Sequence, residues 1–287
     1  MNPKLKPVLK KEFLNKTVLI TGGAGSFGFQ ITKRILEYPV RTVRVLDINE
    51  HALFNLGRAI KDKRLRLLLG NILDKERLDL AGKNVDIIIH AAAIKNLEIS
   101  EFNPIETIET NINGTVNMIK MATQNKPKKF LNISTDKAAE PTTLYGTTKQ
   151  IGERLTSWAG HHIPSIKFSS VRFGNIFESH GNVFEVWENE KKNNKPLSIT
   201  DPNMNRYFFH IDEAVDFVLE CLYLMNKGEI FVPKMKQYNI HQLAKKISKK
   251  QKIIGKRRGE KMEEILITNS EKELAMDKKN MWIIKQY

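Results

Sequence analysis

Two acid–base pairs stand close together in the segment ISTDKAAEPTTLYGTTKQ, residues 133–150. Tyr145 and Lys149 are four residues apart, so on a helix they share one face. An ammonium group beside a phenol stabilises the phenolate, and we therefore expect Lys149 to lower the pKa of Tyr145. A tyrosine of this kind can take a proton from an alcohol or sugar hydroxyl while a hydride leaves the carbon.

The second pair, Asp136 and Lys137, lies directly upstream. A simple alcohol dehydrogenation needs only the first pair, so a second acid and base indicate more than one proton transfer. A lysine acts as a base only when it is neutral. We therefore expect partial burial or neighbouring cations to lower the pKa of Lys137.

A glycine-rich turn, TGGAGSFG, joins a predicted strand at 17–23 to a predicted helix. Glycine permits the tight turn and lets a pyrophosphate approach the helix N-terminus. Asp47 ends the second predicted strand, where a carboxylate can accept hydrogen bonds from an adenosine ribose. Asp47 would repel a 2′-phosphate and favours NAD, although Arg41, Arg44 or Arg58 folded back near it would allow NADP. The predicted cofactor contacts in the turn are Gly22, Gly25, Ser26, Phe27 and Gly28.

Two later strand ends complete the predicted cofactor site. Asn71 and Ile72 end the third strand, and we expect them at the edge of the adenine. The small side chains at the end of the fourth strand would let the backbone approach the cofactor; they are Ala91, Ala92 and Ala93. Tyr145 and Lys149 are expected to contact the cofactor as well.

Short β-branched runs alternate with amphipathic helices through most of the chain, which predicts an α/β fold with a Rossmann-type doubly wound parallel sheet. The pattern becomes irregular after Asn175 and predicts a smaller mixed C-terminal substrate lobe. We expect residues 1–175 to form the dinucleotide-binding domain, with returning segments near 207–233. The substrate lobe would then comprise 176–206 and 234–287.

The 287-residue chain carries 47 Lys and Arg against 32 Asp and Glu, and its formal net charge is +15. The charge is densest at 245–261. Without zinc-ligand spacing or an RNA-binding aromatic motif, it indicates a solvated surface that partly serves an anionic small molecule, with no nucleic-acid partner. The lone Cys221 cannot form an internal disulfide. No apolar run has the length of a signal peptide or a membrane span, so we expect a cytoplasmic protein, and we expect no metal site.

The glycine-rich strand–turn–helix, five strands and YxxxK together resemble the extended short-chain dehydrogenase/reductase superfamily. That superfamily has a Ser or Thr at the end of its fifth strand, here Thr135, which hydrogen-bonds the reacting oxygen. Oxidation of carbon 4 of a hexose makes the carbon 5 proton acidic, so a base can remove it while an acid assists loss of the carbon 6 hydroxyl. We assign Asp136 as this acid and Lys137 as this base. Return of the hydride to carbon 6 then gives a 4-keto-6-deoxy sugar.

Over nearly its whole length the chain resembles the UDP-N-acetylglucosamine 4,6-dehydratases of the CapD-like polysaccharide-biosynthesis family. The motifs that carry the resemblance are TGGAGSFG, HAAAIK, EFNPIETIETNINGT, STDKA, YGTTK, VRFGN, ITDPNMNRYF, EIFVPK and GKRRGEKMEE. The resemblance implies NAD or NADP as cofactor, a UDP-sugar substrate and a homo-oligomer. The substrate contacts that it implies are Lys95, Asn175, Gly181, Asn182, Val183, Arg206, Arg258 and Glu260.

The chain also departs from that family's pattern. It has SHGNV where the family commonly has SRGSV, so His180 replaces an arginine, and the rim of the sugar pocket is expected to differ. Tyr145 points to the members that invert carbon 5, whereas the segment at 47–56 resembles members that retain it, so the stereochemistry stays open. Two alternatives remain: a UDP-sugar 4-epimerase, and a non-catalytic dinucleotide-binding scaffold.

Overall fold

The computed structural model describes residues 5–179, 181–257 and 259–286 of the chain. Within these ranges, no helix is both long and apolar enough to cross a membrane. The strands are β1 Thr17–Thr21, β2 Thr42–Asp47, β3 Leu65–Leu69, β4 Ile87–His90, β5 Lys129–Thr135, β6 Lys167–Phe173, β7 Asn175–Ile176, β8 Leu197–Ile199, β9 Asn205–Phe209, β10 Ile230–Pro233, β11 Lys236–Asn239, β12 Gln251–Ile253, β13 Ala275–Asp277 and β14 Met281–Ile284.

Helices alternate with most of these strands. They are α1 Leu5–Glu12, α2 Ser26–Leu36, α3 Glu50–Ala59, α4 Lys75–Gly82, α5 Leu97–Phe102, α6 Pro104–Ile108, α7 Gly114–Asn125, α8 Leu144–His162, α9 Val183–Lys192, α10 Ile211–Leu224, α11 Ile240–Ile247 and α12 Asn269–Leu274. A π-helical turn, Glu109–Asn113, joins α6 to α7, and a 3-10 turn, Asp136–Ala138, follows β5.

The large sheet has the order β13-β14-β10-β6-β5-β4-β1-β2-β3. Every neighbouring pair from β10 to β3 is parallel, and only β13 and β14 run antiparallel to their neighbours. All residues of β1 and β4 are buried, as expected for central strands covered on both faces. The predicted doubly wound α/β fold is therefore confirmed.

Two apolar layers cover the two faces of this sheet. One includes Ile31 and Ile35 of α2 with Val215 of α10, and the other includes Met118 of α7 with Ala159 of α8. Complete burial of a large aliphatic side chain contributes about 1.5–3 kcal/mol. These layers hold the strand ends, and thus the loops that follow them, in fixed relative positions.

The smaller lobe is built on two short sheets, β11-β9-β7 and β12-β8. Its separate apolar core consists of Trp187, Leu197, Ile199, Met204, Phe208, Ile240 and Ala244. β10 lies in the predicted returning segment and joins the large sheet. β13 and β14 also join the large sheet, although the sequence assigned 234–287 to the smaller lobe, because β14 pairs with β10 on the side away from β6. The predicted domain division otherwise stays a prediction.

The helical region 97–125, which follows β4, is divided into three helices. Asn103 separates α5 from α6, and the π-helical turn separates α6 from α7. Single π turns inside helices concentrate at functional sites. Here the turn presents Asn111 toward the loop that follows β4.

Candidate functional site

The sheet order brings the predicted cofactor and catalytic segments to one edge. The glycine-rich turn follows β1, the alanines follow β4, and the turn with Asp136 and Lys137 follows β5. Because these strands are parallel and adjacent, their carboxyl ends open into the same crevice. Ligands of open α/β sheets bind in such a crevice.

The glycine-rich turn leaves no room for larger side chains at two of its positions. Gly22 has a φ of +65°, and a Cβ atom there would lie 2.7 Å from the Ala92 backbone. A Cβ atom at Gly28 would lie 2.4 Å from Gly23 Cα. Gly25 precedes α2 as its N-cap and supplies no side-chain hydrogen bond to it. The turn and helix N-terminus thus fit a dinucleotide pyrophosphate, which backbone N–H groups of Ser26 and Phe27 would help to hold.

Asp47 lies beside this turn at the end of β2. One of its carboxylate oxygens accepts a hydrogen bond from the Ala24 backbone N–H at 3.0 Å, and the other accepts one from the Asn49 backbone N–H at 3.0 Å. The carboxylate therefore orders the glycine-rich turn in addition to its predicted contact with a ribose, which stays a prediction.

The predicted adenine contacts differ in exposure. Asn71 is exposed and its side chain accepts a hydrogen bond from the Leu73 backbone N–H at 2.9 Å, whereas Ile72 is buried. Ile72 packs so closely on Gly114 that a Cβ atom there would lie 2.4 Å from the Ile72 side chain. Ala91, Ala92 and Ala93 are partly buried directly after β4. Of Asn71 and Ile72, only Asn71 presents its side chain to the surface.

The Asp136 carboxylate is fully buried at the start of the 3-10 turn. Its Oδ1 accepts hydrogen bonds from Thr135 Oγ1 at 3.0 Å and from Lys137 Nζ at 2.9 Å. Its Oδ2 has no hydrogen-bond partner among the described residues. That oxygen faces Gly174, where an added Cβ atom would lie 3.2 Å from it. A buried carboxyl oxygen without a partner is costly in a folded protein, which makes Asp136 a candidate functional group.

The structure corrects the expectation for Lys137. Burial lowers the pKa of Lys137, but the charges of Asp136 and Glu264 and the hydrogen bond to Asp136 outweigh burial, so the pKa is raised. The predicted lowering of the Lys137 pKa is therefore wrong. A neutral Lys137 requires transfer of its proton to a neighbour.

The expectation for Tyr145 is also corrected. Burial raises the pKa of Tyr145, and it outweighs the opposing effects of the Lys137 charge and of a hydrogen bond with Thr135. The cation that lowers the tyrosine pKa is therefore Lys137, from the second pair. Because the Thr135 hydroxyl donates to Asp136, its oxygen is left to accept from Tyr145.

Lys149 lies one turn after Tyr145 on α8, and its side chain is buried. Burial lowers the pKa of Lys149 to about 8, against the charge of Glu153. Glu153 is held in turn by Arg172 in a buried ion pair at 2.7 Å. Lys149 thus loses its proton at a lower pH than an ordinary lysine.

Two residues absent from the sequence predictions organise this site. Asn111 in the π-helical turn exchanges hydrogen bonds with the Ile94 backbone at 2.8 and 2.9 Å and donates to Thr148 Oγ1 at 3.0 Å. It ties the loop after β4 to the catalytic helix α8. A π turn has no simple sequence pattern, so periodicity alone would not have found it.

His90 is the second such residue, at the end of β4. Its Nδ1 accepts from Thr21 Oγ1 at 2.7 Å, and its Nε2 lies 3.2 Å from Thr115 Oγ1. The Thr115 hydroxyl donates to the Asn111 carbonyl, so Nε2–H is the donor to Thr115. Burial, together with the Lys149 charge, lowers the pKa of His90 to about 3, which keeps the imidazole neutral.

The predicted substrate contacts are only partly brought together. Asn175 Oδ1 accepts from Lys137 Nζ at 3.4 Å, so Asn175 lies beside the second pair. Lys95 is exposed two residues after Ala93. Arg206 is buried and donates to backbone oxygens of Asn205, Lys261 and Met262 and to the Glu260 carboxylate. Arg206 therefore holds the C-terminal segment in place, and its predicted diphosphate contact stays a prediction.

The segment from Gly181 to Val183 begins α9. The Asn182 side chain accepts from the Phe184 and Glu185 backbone N–H groups and donates to two backbone carbonyls, so it caps the helix. Val183 is the first residue of α9. Gly181 has a φ of +73° and open space around it. Arg258 and His180, both singled out in the sequence, lie outside the described residues.

No group of three or more His, Cys, Asp and Glu side chains in the described ranges could hold a metal ion.

Comparisons with known proteins agree with this architecture. A sequence model of the family described as "Polysaccharide biosynthesis protein" matches residues 18–286. A UDP-N-acetylglucosamine 4,6-dehydratase (inverting) of Campylobacter jejuni is 38% identical over 281 residues, covering 95% of this chain and 83% of that protein. A UDP-glucose 4-epimerase of Rickettsia bellii is 35% identical over 284 residues, with the same coverages.

The structure is similar to the X-ray structure of Pen from Bacillus thuringiensis. The TM-score is 0.91 and the sequence identity 35%, and the alignment covers 95% of this chain and 88% of that one. Because the family model and relatives above 30% identity span nearly the whole sequence, this chain belongs to the Polysaccharide biosynthesis protein family.

Proposed function

We propose that the protein is an NAD(P)-dependent sugar-nucleotide 4,6-dehydratase that acts on UDP-N-acetylglucosamine. The observation that carries the proposal is the Asp136–Lys137 pair, with its buried and unpartnered Asp136 Oδ2, beside Tyr145 and Thr135. Oxidation at carbon 4 alone would not require this second acid and base, whereas elimination of water requires both. The similarity to a dehydratase named as inverting supports both the substrate and inversion at carbon 5.

The bound cofactor would supply the acceptor that removes hydride from the sugar and later returns it. The glycine-rich turn with Gly22, Gly25 and Gly28 would hold its pyrophosphate, and Asp47 favours NAD over NADP. Tyr145 acts as the phenolate, which the Lys137 charge stabilises, and takes the proton from the carbon 4 hydroxyl, while Thr135 orients that oxygen. At a pH below its pKa of about 8, Lys149 is a second cation on the same helix face.

The second pair then performs the dehydration. Transfer of a proton across the 2.9 Å hydrogen bond from Lys137 to Asp136 gives a neutral lysine and a protonated aspartic acid. Lys137 removes the carbon 5 proton while Asp136 donates its proton to the leaving carbon 6 hydroxyl, which departs as water. After the hydride returns to carbon 6, a solvent-derived proton enters carbon 5 on the face opposite Lys137, which inverts that centre, and Lys137 releases the proton it removed to solvent.

The protons balance through Thr135. At the end of the cycle Tyr145 holds the proton from the carbon 4 hydroxyl, and Asp136 lacks the proton given to water. Thr135 Oγ1 donates to Asp136 Oδ1 and accepts from Tyr145, so one shift along this chain restores both groups. Asp136 is fully buried, which favours this internal route over direct exchange with solvent.

The test is incubation of the protein with UDP-N-acetylglucosamine in deuterated water, followed by NMR and mass spectrometry. Loss of water with deuterium at carbon 5 is expected, and the ring couplings report inversion. The similarity to a UDP-glucose 4-epimerase makes epimerisation the second candidate. A carbon 4 epimer of unchanged mass would establish that reaction and overturn the dehydratase. Bound cofactor without conversion of any UDP-sugar would favour a scaffold. A homo-oligomeric state and a cytoplasmic location stay predictions from the sequence.

A further inference from the structure

The C-terminal segment 259–264 is fastened over the turn that carries Asp136 and Lys137. Lys261 Nζ donates to the Ala139 carbonyl at 2.9 Å, and Thr142 Oγ1 donates to the Gly259 carbonyl at 2.7 Å. Arg206 donates to the Lys261 carbonyl at 2.9 Å from the other side. These bonds tie the smaller lobe to the catalytic turn across more than a hundred residues of sequence.

This fastening buries the Glu264 carboxylate next to the turn. Glu264 is 5% exposed, and its Oε2 has no hydrogen-bond partner among the described residues. The Lys261 ammonium lies 3.7 Å from that oxygen, which is too far for a hydrogen bond. A buried carboxylate with an open oxygen is unfavourable unless a nearby charge or a bound molecule compensates it.

Lys261 provides part of that charge at 3.7 Å, and Lys137 contributes a second nearby charge. Lys137 and Glu264 line the same small cavity, together with Thr142 and Thr143. Its volume of about 10 Å³ is close to the minimum that a water molecule needs. The cavity is polar, so a single water there can join the Glu264 carboxylate to the Lys137 ammonium.

We propose that Glu264 is a positioning residue for the dehydration, which stabilises the Lys137 ammonium as it forms by removal of the carbon 5 proton. The inference rests on the proposed function. Its physical basis is that a carboxylate beside a base stabilises the protonated base, as the aspartate of a serine protease triad stabilises its imidazolium. In a water-poor site such an interaction is stronger than at the surface.

The groups facing Lys137 come from four elements. Asp136 lies on its own turn at 2.9 Å, Asn175 of β7 accepts from it at 3.4 Å, and Tyr145 faces it from α8. Glu264 is the contribution of the C-terminal segment, and its charge raises the pKa of Lys137. Glu264 therefore makes Lys137 a stronger base once its proton has passed to Asp136.

The Glu264→Gln variant removes this charge and has two expected effects on dehydration. The rate on the pH plateau falls at least about tenfold, because the forming ammonium loses its counter-charge. The acidic limb of the pH profile moves to lower pH by about one unit, because the Asp136–Lys137 pair then takes up a further proton less readily. Reduction of the cofactor in a single turnover, which reports oxidation at carbon 4, stays near the wild-type rate.

Glu263→Gln is the matched control, since the neighbouring Glu263 is exposed and the charge change is the same. Its pH limb is expected at the wild-type position. Glu264→Asp retains the charge, so its acidic limb is expected at the same pH as in the wild type. Lys261→Met removes the cation beside Glu264 and is expected to move the limb to higher pH, which tests the proposal even if Glu264→Gln folds poorly.

Dehydration by the wild-type protein is measured first. If the wild type does not dehydrate the sugar nucleotide, the proposed function fails and the role of Glu264 fails with it. Suppose instead that the wild type dehydrates the sugar nucleotide. The role of Glu264 alone is then overturned if the acidic limb of Glu264→Gln stays at the wild-type pH, or if this variant loses carbon 4 oxidation by the same factor as dehydration. A limb that Lys261→Met leaves in place would overturn it as well.

Discussion

Lys137 Nζ lies 2.9 Å from Asp136 Oδ1, while the second oxygen of the same fully buried carboxylate has no partner. One hydrogen bond thus joins the two groups between which a proton must move before either can act in an elimination. The free oxygen faces Gly174 and keeps its capacity to accept a hydrogen bond. The acid and the base therefore become competent together, which separates their task from that of Tyr145.

Substitution of each pair should interrupt a different half of the reaction. Lys137→Ala is expected to bind cofactor and to oxidise carbon 4 more slowly, because Tyr145 loses the cation that lowers its pKa. Its dehydration is expected to fall further, by about 100-fold or more, because the carbon 5 base is missing. Tyr145→Phe is expected to lose carbon 4 oxidation by a similar factor. Cofactor absorbance in a single turnover reports oxidation, and deuterium incorporation at carbon 5 reports proton removal. Unchanged product formation by Lys137→Ala would remove its role as base.

The glycine-rich turn allows folding and cofactor binding to be separated. Gly28→Ala is expected to lower the free energy of unfolding by about 1–3 kcal/mol, because the new Cβ atom would lie 2.4 Å from Gly23 Cα. At Gly25 the nearest atom to a Cβ would be 3.4 Å away, and φ is −71°. Gly25→Ala should therefore unfold within about 1 kcal/mol of wild type but bind NAD more weakly. Urea unfolding and calorimetric titration measure the two effects, and wild-type affinity in Gly25→Ala would argue against a pyrophosphate at this turn.

The buried His90 predicts a loss of stability in acid. Its pKa in the folded protein is about 3, against 6.5 for an unperturbed imidazole. Between pH 6.5 and 3 the His90 side chain is protonated in the unfolded chain but neutral in the folded protein. The stability present above pH 6.5 is therefore lost as the pH falls toward 3. The contribution is about 1.4 kcal/mol per pH unit.

Urea unfolding across this pH range should show a shallower dependence in His90→Gln than in wild type. His51→Gln is the control, since His51 is exposed on α3. Parallel curves for all three proteins would mean that His90 does not carry this proton linkage. Equal flattening in the His51 variant would point to a general charge effect.

Much of the architecture could be predicted because its signals are local. Apolar runs such as those at β1 and β4, alternating with amphipathic helices, indicate buried parallel strands, and the large sheet confirms this interpretation. The order of the motifs along the chain likewise indicated the family. Elements that depend on partners far along the chain were harder to predict. β14 joins the large sheet only through its pairing with β10, and Asn111 in the π turn is held by the Ile94 backbone.

The sequence by itself determined which chemical groups the protein has and, through the parallel strands, that the glycine-rich turn, Asp136, Lys137 and Tyr145 share one edge of the sheet. Tertiary structure alone decided how these groups titrate. Burial raises the pKa of Tyr145, and nearby charges raise that of Lys137, the reverse of what residue spacing suggested. Spacing specifies which neighbours are close along the chain, whereas a pKa depends on solvent exclusion and on charges such as Glu264, which only the folded chain brings near.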